Sequence, residues 1–151
     1  MKHALIIAAM LLMASFQLKA QADKVVGIWL TEKKNSQVEI YKTPQGTYEG
    51  KLVWLKEPLE DDGTPKKDKE NPEPALRSKP LKGLIMLEGF TYDRDSKEWT
   101  DGTIYDPESG STYTAYMWFD DNNTLKIKGY VMGMRFLGRS TTWTRERQLR
   151  Q

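Results

Sequence analysis

The chain has 151 residues, 29% charged and 38% apolar, the composition of one globular domain rather than of a disordered or membrane-embedded chain. Its formal charge is +2 and it has no cysteine, which excludes disulfides, thiol nucleophiles and cysteine metal sites. Lys2, Lys19 and the single histidine, His3, all precede Ala22; beyond it 21 basic side chains face 21 acidic ones, so a nucleic-acid partner is not expected and no histidine is left for catalysis or metal binding.

Lys2 and His3 open a short basic start, followed by the uncharged, largely apolar run 4–16 and by the small residues of Ala20-Gln21-Ala22. This is the pattern of a cleaved secretory signal peptide over 1–22, with cleavage after Ala20 as a second option. The run is too short to span roughly 30 Å of hydrocarbon, Lys19 ends it, and no cysteine follows to carry a lipid, so no stable membrane anchor is expected. The protein is accordingly expected to be periplasmic or secreted, as a single domain over 23–151.

Eight short alternating runs rich in Val, Ile, Thr, Tyr, Phe and Trp predict strands near 25–31, 37–42, 47–55, 83–93, 97–105, 112–120, 124–131 and 135–145. The punctuation is turn chemistry: Thr43-Pro44-Gln45-Gly46, Asp93 to Ser96, Asp106-Pro107-Glu108-Ser109-Gly110, and Asp120 to Asn123. The exception is 56–82, a long loop or lid holding five of the seven prolines. Its first part, 56–70, reads as solvated and mobile, and Asn71 to Leu81 as more ordered, with a helical turn near Pro74 to Ser78.

Consecutive antiparallel strands avoid exposed edges by closing, which predicts an all-β, eight-stranded, up-and-down antiparallel barrel whose interior is filled by side chains or holds one small ligand. Alternation assigns Val38 and Ile40 to the interior, then Tyr48, Gly50, Leu52 and Trp54, then Leu125, Ile127, Gly129 and Val131. The run 112–120 is apolar on both faces, with Tyr113, Ala115, Met117 and Phe119 opposite Tyr116 and Trp118, so its second face is expected to lie under the long loop or a partner.

Gly27-Ile28-Trp29 near the start and Trp143-Thr144-Arg145 near the end resemble the calycin, or lipocalin-like, superfamily. That resemblance implies a structural plug made of Gly27, Trp29, Trp143 and Arg145, with the last-strand Arg stacked on the first-strand Trp. Three longer signatures make the likeness narrower. They are Asn71-Pro72-Glu73-Pro74 with Leu76-Arg77 and Pro80 to Leu84, then Trp99 to Pro107 with Gly110 and Tyr113, then Gly129-Tyr130 with Leu137-Gly138-Arg139 and Thr142 to Arg145. Together they resemble the bacterial secreted family catalogued as domain of unknown function 2147, over essentially all of 25–145. The resemblance implies the fold and export but no reaction.

Arg139 shares the parity of Leu137, Thr141 and Trp143, which places it on the interior face as a bidentate partner for a carboxylate or phosphate; a bulge at Gly138 or pairing with Glu88 is the structural alternative. Arg135 has the same parity, and Arg77 on the long loop either faces an anionic ligand or pins the loop. Tyr105, Asp106 and Tyr113 are candidate polar contacts at the barrel mouth, with Asp106 alternatively capping its own turn. Asp93 to Lys97 begins like a calcium loop but puts Lys97 where a third oxygen ligand belongs, so neither metal nor cofactor is expected. The leading expectation is a carrier of a small amphipathic or lipid-like molecule. The alternative is an envelope protein–protein interaction module with a packed barrel, and a histidine-free enzyme ranks last.

Overall fold

Short turns joining strands in sequence order leave each strand beside its chain neighbour, and the computed structural model, which describes residues 1–151 with the side chain of Lys2 set aside, follows that rule around a full circle. The strands are β1 (Gly27–Leu30), β2 (Ser36–Lys42), β3 (Tyr48–Leu55), β4 (Ile85–Asp93), β5 (Glu98–Asp106), β6 (Ser111–Asp121), β7 (Thr124–Tyr130) and β8 (Gly138–Glu146). All pairs are antiparallel, and β1 pairs with β8 through Ile28↔Glu146, Trp29↔Arg145 and Leu30↔Thr144, closing the barrel.

The expected turns do their work through named groups. Gly46, at φ 85°, closes the β2–β3 turn by donating its N–H to the Thr43 carbonyl. Asp93 and Asp121 each accept a backbone N–H two residues on, from Asp95 and Asn123.

Ahead of β1, helix α1 (Lys2–Ala22) runs unbroken through Lys19 and is longer than the apolar run delimited in the sequence. By length and composition it could cross a membrane, a property that a signal sequence shares; its apolar stretch is not buried, while its last residue, Ala22, packs against the core. The first buried residue is Val25, so residues 21–151 carry the complete barrel and its core.

The core occupies one end. Trp29, Trp99, Phe90 and Met117 are wholly buried there, and each such side chain contributes roughly 1.5–3 kcal/mol by leaving water. Trp29 and Trp99 both pack on Phe119, with ring centroids 5.8 and 5.4 Å apart. The interior assignments hold for Val38, Ile40, Tyr48, Gly50, Leu52, Leu125 and Ile127.

Two interior assignments are corrected. Trp54 pairs with Gln37 while Leu52 pairs with Val38, so Val53 is an extra residue; this bulge reverses the alternation and turns Trp54 outward. There the C-terminal tail covers it: the Trp54 indole donates to the Gln151 carbonyl at 3.3 Å, and buried Gln37 takes the Arg150 N–H and donates to Glu146 and the Gln148 carbonyl. Val131 lies beyond the end of β7, in an exposed loop, and β8 begins at Gly138 rather than at 135.

Residues 56–82 are tied down at several points. Isolated bridges join Leu59 to Pro65 and Lys67 to Pro80, and a 3-10 turn forms at Pro74–Leu76. Asp68 is only 1% exposed, which corrects the reading of 56–70 as solvated throughout.

Candidate functional site

The two ends of the barrel differ. At the closed end the Arg145 guanidinium lies 4.3 Å from the Trp29 ring and donates to the carbonyls of Lys24, at 2.6 Å, and Val26, at 3.1 Å. Burial holds the Arg145 pKa below its ordinary value. Gly27 is required here, because a Cβ would stand 2.9 Å from Arg145 Nη1 and its φ of +143° suits no other residue well. The Trp29 indole donates to the Val25 carbonyl, and the Trp99 indole to that of Ala22. Trp143 lies deeper, fully inside, where it forms part of the floor of the other half.

The other end is open. A cavity of about 1400 Å³ runs inward from the mouth, with Leu52, Ile104, Tyr113, Ile127 and Trp143 on its walls. Gly129 widens it: a Cβ there would approach the Tyr113 Cβ to 3.1 Å.

Arg139 stands at the rim of this cavity, opposite Gly129, on the interior side of β8 but exposed to solvent. Neither sequence alternative for it applies: the β7–β8 register runs unbroken through Gly138 and Arg139, and among the described residues the Arg139 side chain makes no hydrogen bond or ion pair, with Glu88 or any other group. Most other charges on the lining are engaged. Lys33 pairs with Glu108 and Lys66 with Glu57, Glu32 accepts from the Thr141 hydroxyl at 3.2 Å, and Asp106 is consumed by its own turn. Lys56 and Arg139 are the lining cations with no side-chain partner among the described residues.

The remaining sequence candidates separate. Tyr113 is in the cavity wall, and Thr141 joins it next to Arg139. Asp106 borders the mouth but caps the β5–β6 turn, accepting from the Glu108 N–H at 3.0 Å and the Ser109 hydroxyl at 2.8 Å.

Tyr105 also borders the cavity, and its hydroxyl is used elsewhere. It donates to Asp68 Oδ1 at 2.7 Å, while the Asn71 amide donates to Asp68 Oδ2 at 2.7 Å. Burial, reinforced by the Asp68 carboxylate, pushes the Tyr105 pKa up to about 12. Together with Gly110, whose Cβ would collide with the Glu70 carbonyl at 1.9 Å, this network fastens the long loop to the β5–β6 side of the mouth.

Two assignments to the ligand are corrected. Arg77 lies outside the cavity lining and donates to the Asn71 carbonyl at 2.7 Å, so it pins its own loop. Arg135 is in the β7–β8 loop rather than on β8, and it faces outward: its guanidinium pairs with Glu98 at 2.7 Å and lies 3.4 Å from the Tyr116 ring centre. It thereby covers part of the second apolar face of β6. Asp68 and Lys33 escaped the sequence reading because each is one charged residue among many on polar connections, with no motif to mark it. Among the described residues no group of three or more His, Asp or Glu side chains is placed to hold a metal ion.

Residues 27–145 match a family described as "Uncharacterized protein conserved in bacteria (DUF2147)". The barrel is similar to the solved structure of protein HP1028 from the human pathogen Helicobacter pylori, described as belonging to the lipocalin family. The TM-score is 0.68 and the identity 26%, covering 82% of this chain and 83% of that one. No curated protein matches the chain.

Proposed function

From the premise that the chain belongs to the DUF2147 family, on a lipocalin-like barrel, we propose that it is exported and binds a small amphipathic molecule with an anionic end. The observation that carries this reading is the pairing of an apolar cavity with an unneutralised arginine at its rim. Leu52, Ile104, Ile127 and Trp143 would bury the ligand's apolar part, and Arg139, helped by Lys56, would meet its carboxylate or phosphate. Tyr113 belongs to the same wall. Export rests on the basic, apolar and small-residue order of the leader. A lipid or fatty acid is the ligand class that suits this polarity gradient.

The alternative of an interaction module with a packed interior gains no support from an open upper barrel. The test is native mass spectrometry of protein recovered from a bacterial periplasm, followed by denaturation and organic extraction. A stoichiometric amphipathic anion, retained by the parent protein and lost from Arg139→Ala, is the expected result. A parent protein that recovers no ligand and also fails to bind a dansyl-labelled fatty acid defeats the proposal.

A further inference from the structure

We propose that the β7–β8 loop and the adjoining outer face of β6 and β7 dock onto an anionic phospholipid bilayer. The loop spans 131–137 and folds as two successive tight turns, with the Met134 N–H bonded to the Val131 carbonyl and the Leu137 N–H to the Met134 carbonyl. Met132 and Gly133 both have positive φ, 54° and 68°. Gly133 takes this conformation freely, but Met132 does so at a steric cost, and the result is a fixed tip that presents apolar side chains to water. Met132 is 86% exposed and Phe136 75%. Beyond residue 22 these are the most exposed large apolar side chains, and a soluble surface rarely gathers such groups without a use for them.

The surface behind the tip mixes aromatic rings with cations. Tyr116 stacks on Trp118 with ring centres 5.2 Å apart, and Tyr130 lies 6.1 Å from Tyr116. Cations interleave with these rings: Lys128 is the register partner of Tyr116, Lys126 that of Trp118, and Arg135 covers Tyr116. Glu98 is an acid beside them, and Arg135 pairs with it at 2.7 Å; Asp101 is a second, exposed acid on the neighbouring strand.

An apolar tip backed by amphipathic aromatic rings interleaved with Lys and Arg carries the chemistry met where acyl chains give way to anionic headgroups. That charge complementarity selects a bilayer rather than a protein as the occupant. A convex apolar tip also needs no matching pocket in a fluid lipid surface. Val131, Phe136 and Leu137 border the cavity as well, so the docked surface is continuous with its lip. Resting on the ligand reading, this continuity would let an amphipathic molecule pass between bilayer and barrel with little exposure to water; the docking itself does not depend on that reading.

The test uses residues 21–151, which contain the complete core and lack the apolar helix that would bind lipid by itself. Co-sedimentation is measured with vesicles of phosphatidylcholine alone and of phosphatidylcholine mixed with phosphatidylglycerol. Binding is expected to the mixed vesicles, to weaken as salt rises, and to fall about tenfold in Met132→Ser/Phe136→Ser and in Lys126→Gln/Lys128→Gln. Met132 and Phe136 are exposed, while Lys126 and Lys128 are half-buried and Lys126 donates to the Thr142 hydroxyl, so thermal unfolding of each variant is recorded and vesicle binding compared at a temperature where all are folded. Equal binding by parent and variants, no dependence on phosphatidylglycerol, or photo-crosslinking from position 136 to a protein instead of lipid would overturn the proposal. Binding of a dansyl-labelled fatty acid in vesicle-free solution is measured in parallel. In the parent protein, absence of vesicle binding with fatty-acid binding intact defeats the docking alone, whereas vesicle binding without fatty-acid binding defeats the ligand reading and leaves the docking standing.

Discussion

Lys33 and Glu108 form an ion pair across the open end of the barrel. Lys33 is on the β1–β2 turn and Glu108 on the β5–β6 turn, with two strands between those turns in either direction around the circle. The pair therefore bridges opposite sides of the mouth. Both side chains are largely exposed, so the pair contributes less than about 1 kcal/mol to stability. Its effect belongs on access. Lys33→Ala should leave Tm nearly unchanged and raise the association rate of a dansyl-labelled fatty acid several-fold in stopped flow. High salt should do the same to the parent and little to the variant. A parent rate already equal to that of the variant at low salt would remove the strap from the account.

Arg139 has the opposite profile, with no partner to lose. A charge-assisted contact is worth roughly 1.5–3 kcal/mol, so Arg139→Ala should weaken binding of an anionic probe at least about tenfold, with Arg139→Lys intermediate. A neutral alcohol of the same chain length should bind both proteins alike. Titration calorimetry with the acid and the alcohol distinguishes the charge contact from a general effect on the cavity.

The closed end should affect stability and not binding. Arg145→Ala removes a cation from the Trp29 face and leaves the carbonyls of Lys24 and Val26 without their donor. The expected cost is about 2–3 kcal/mol, or roughly 5–10 °C in Tm, with fatty-acid affinity unchanged after correction for folded fraction. A calorimetric scan checks the first part and a binding titration well below Tm the second.

Tyr105 gives a signature in alkali. Its hydroxyl has an ordinary pKa of 10.0 and is pushed up to about 12 in the fold, so the neutral form is favoured when folded. That contribution is complete below the ordinary value and is lost as pH rises from about 10 to about 12. In an absorbance titration of phenolate, Tyr105→Phe should remove one late-ionising tyrosine and leave the rest of the curve in place. The same variant should also make 59–81 more sensitive to a protease, because Asp68 loses the bond that fastens the loop. A late phase of unchanged amplitude would mean that Tyr105 is free in solution.

The barrel was legible in the sequence because its determinants are local: alternation along each strand, Asp and Gly at the turns, and no connection long enough to reorder the strands apart from 56–82. The plug was legible because Trp29 and Arg145 belong to a recognisable pair of end motifs. Trp54 was misassigned because a bulge at Val53 depends on the fit between two strands, and strict alternation carries no record of it. Arg135 was misassigned for a related reason, since parity says nothing once the strand has not yet begun. Arg139 could be placed by parity, but its lack of a partner could not, because pairing depends on which turns meet at the mouth. The Tyr105–Asp68 bond joins a strand end to the middle of a long loop, a distance over which residue type alone chooses no partner.

Closure through β1 and β8 also sets the order of assembly. The residues that seal the barrel, Trp29 and Arg145, come from its first and last strands. A chain emerging N-terminus first from a ribosome can build its hairpins one after another as an open, curling sheet. It has no means of sealing until β8 has followed. Until that moment β1 is an unpaired edge, only four residues long, which offers little purchase to a foreign strand. The shortness of the first strand thus protects the nascent chain during the interval in which its last partner is still missing.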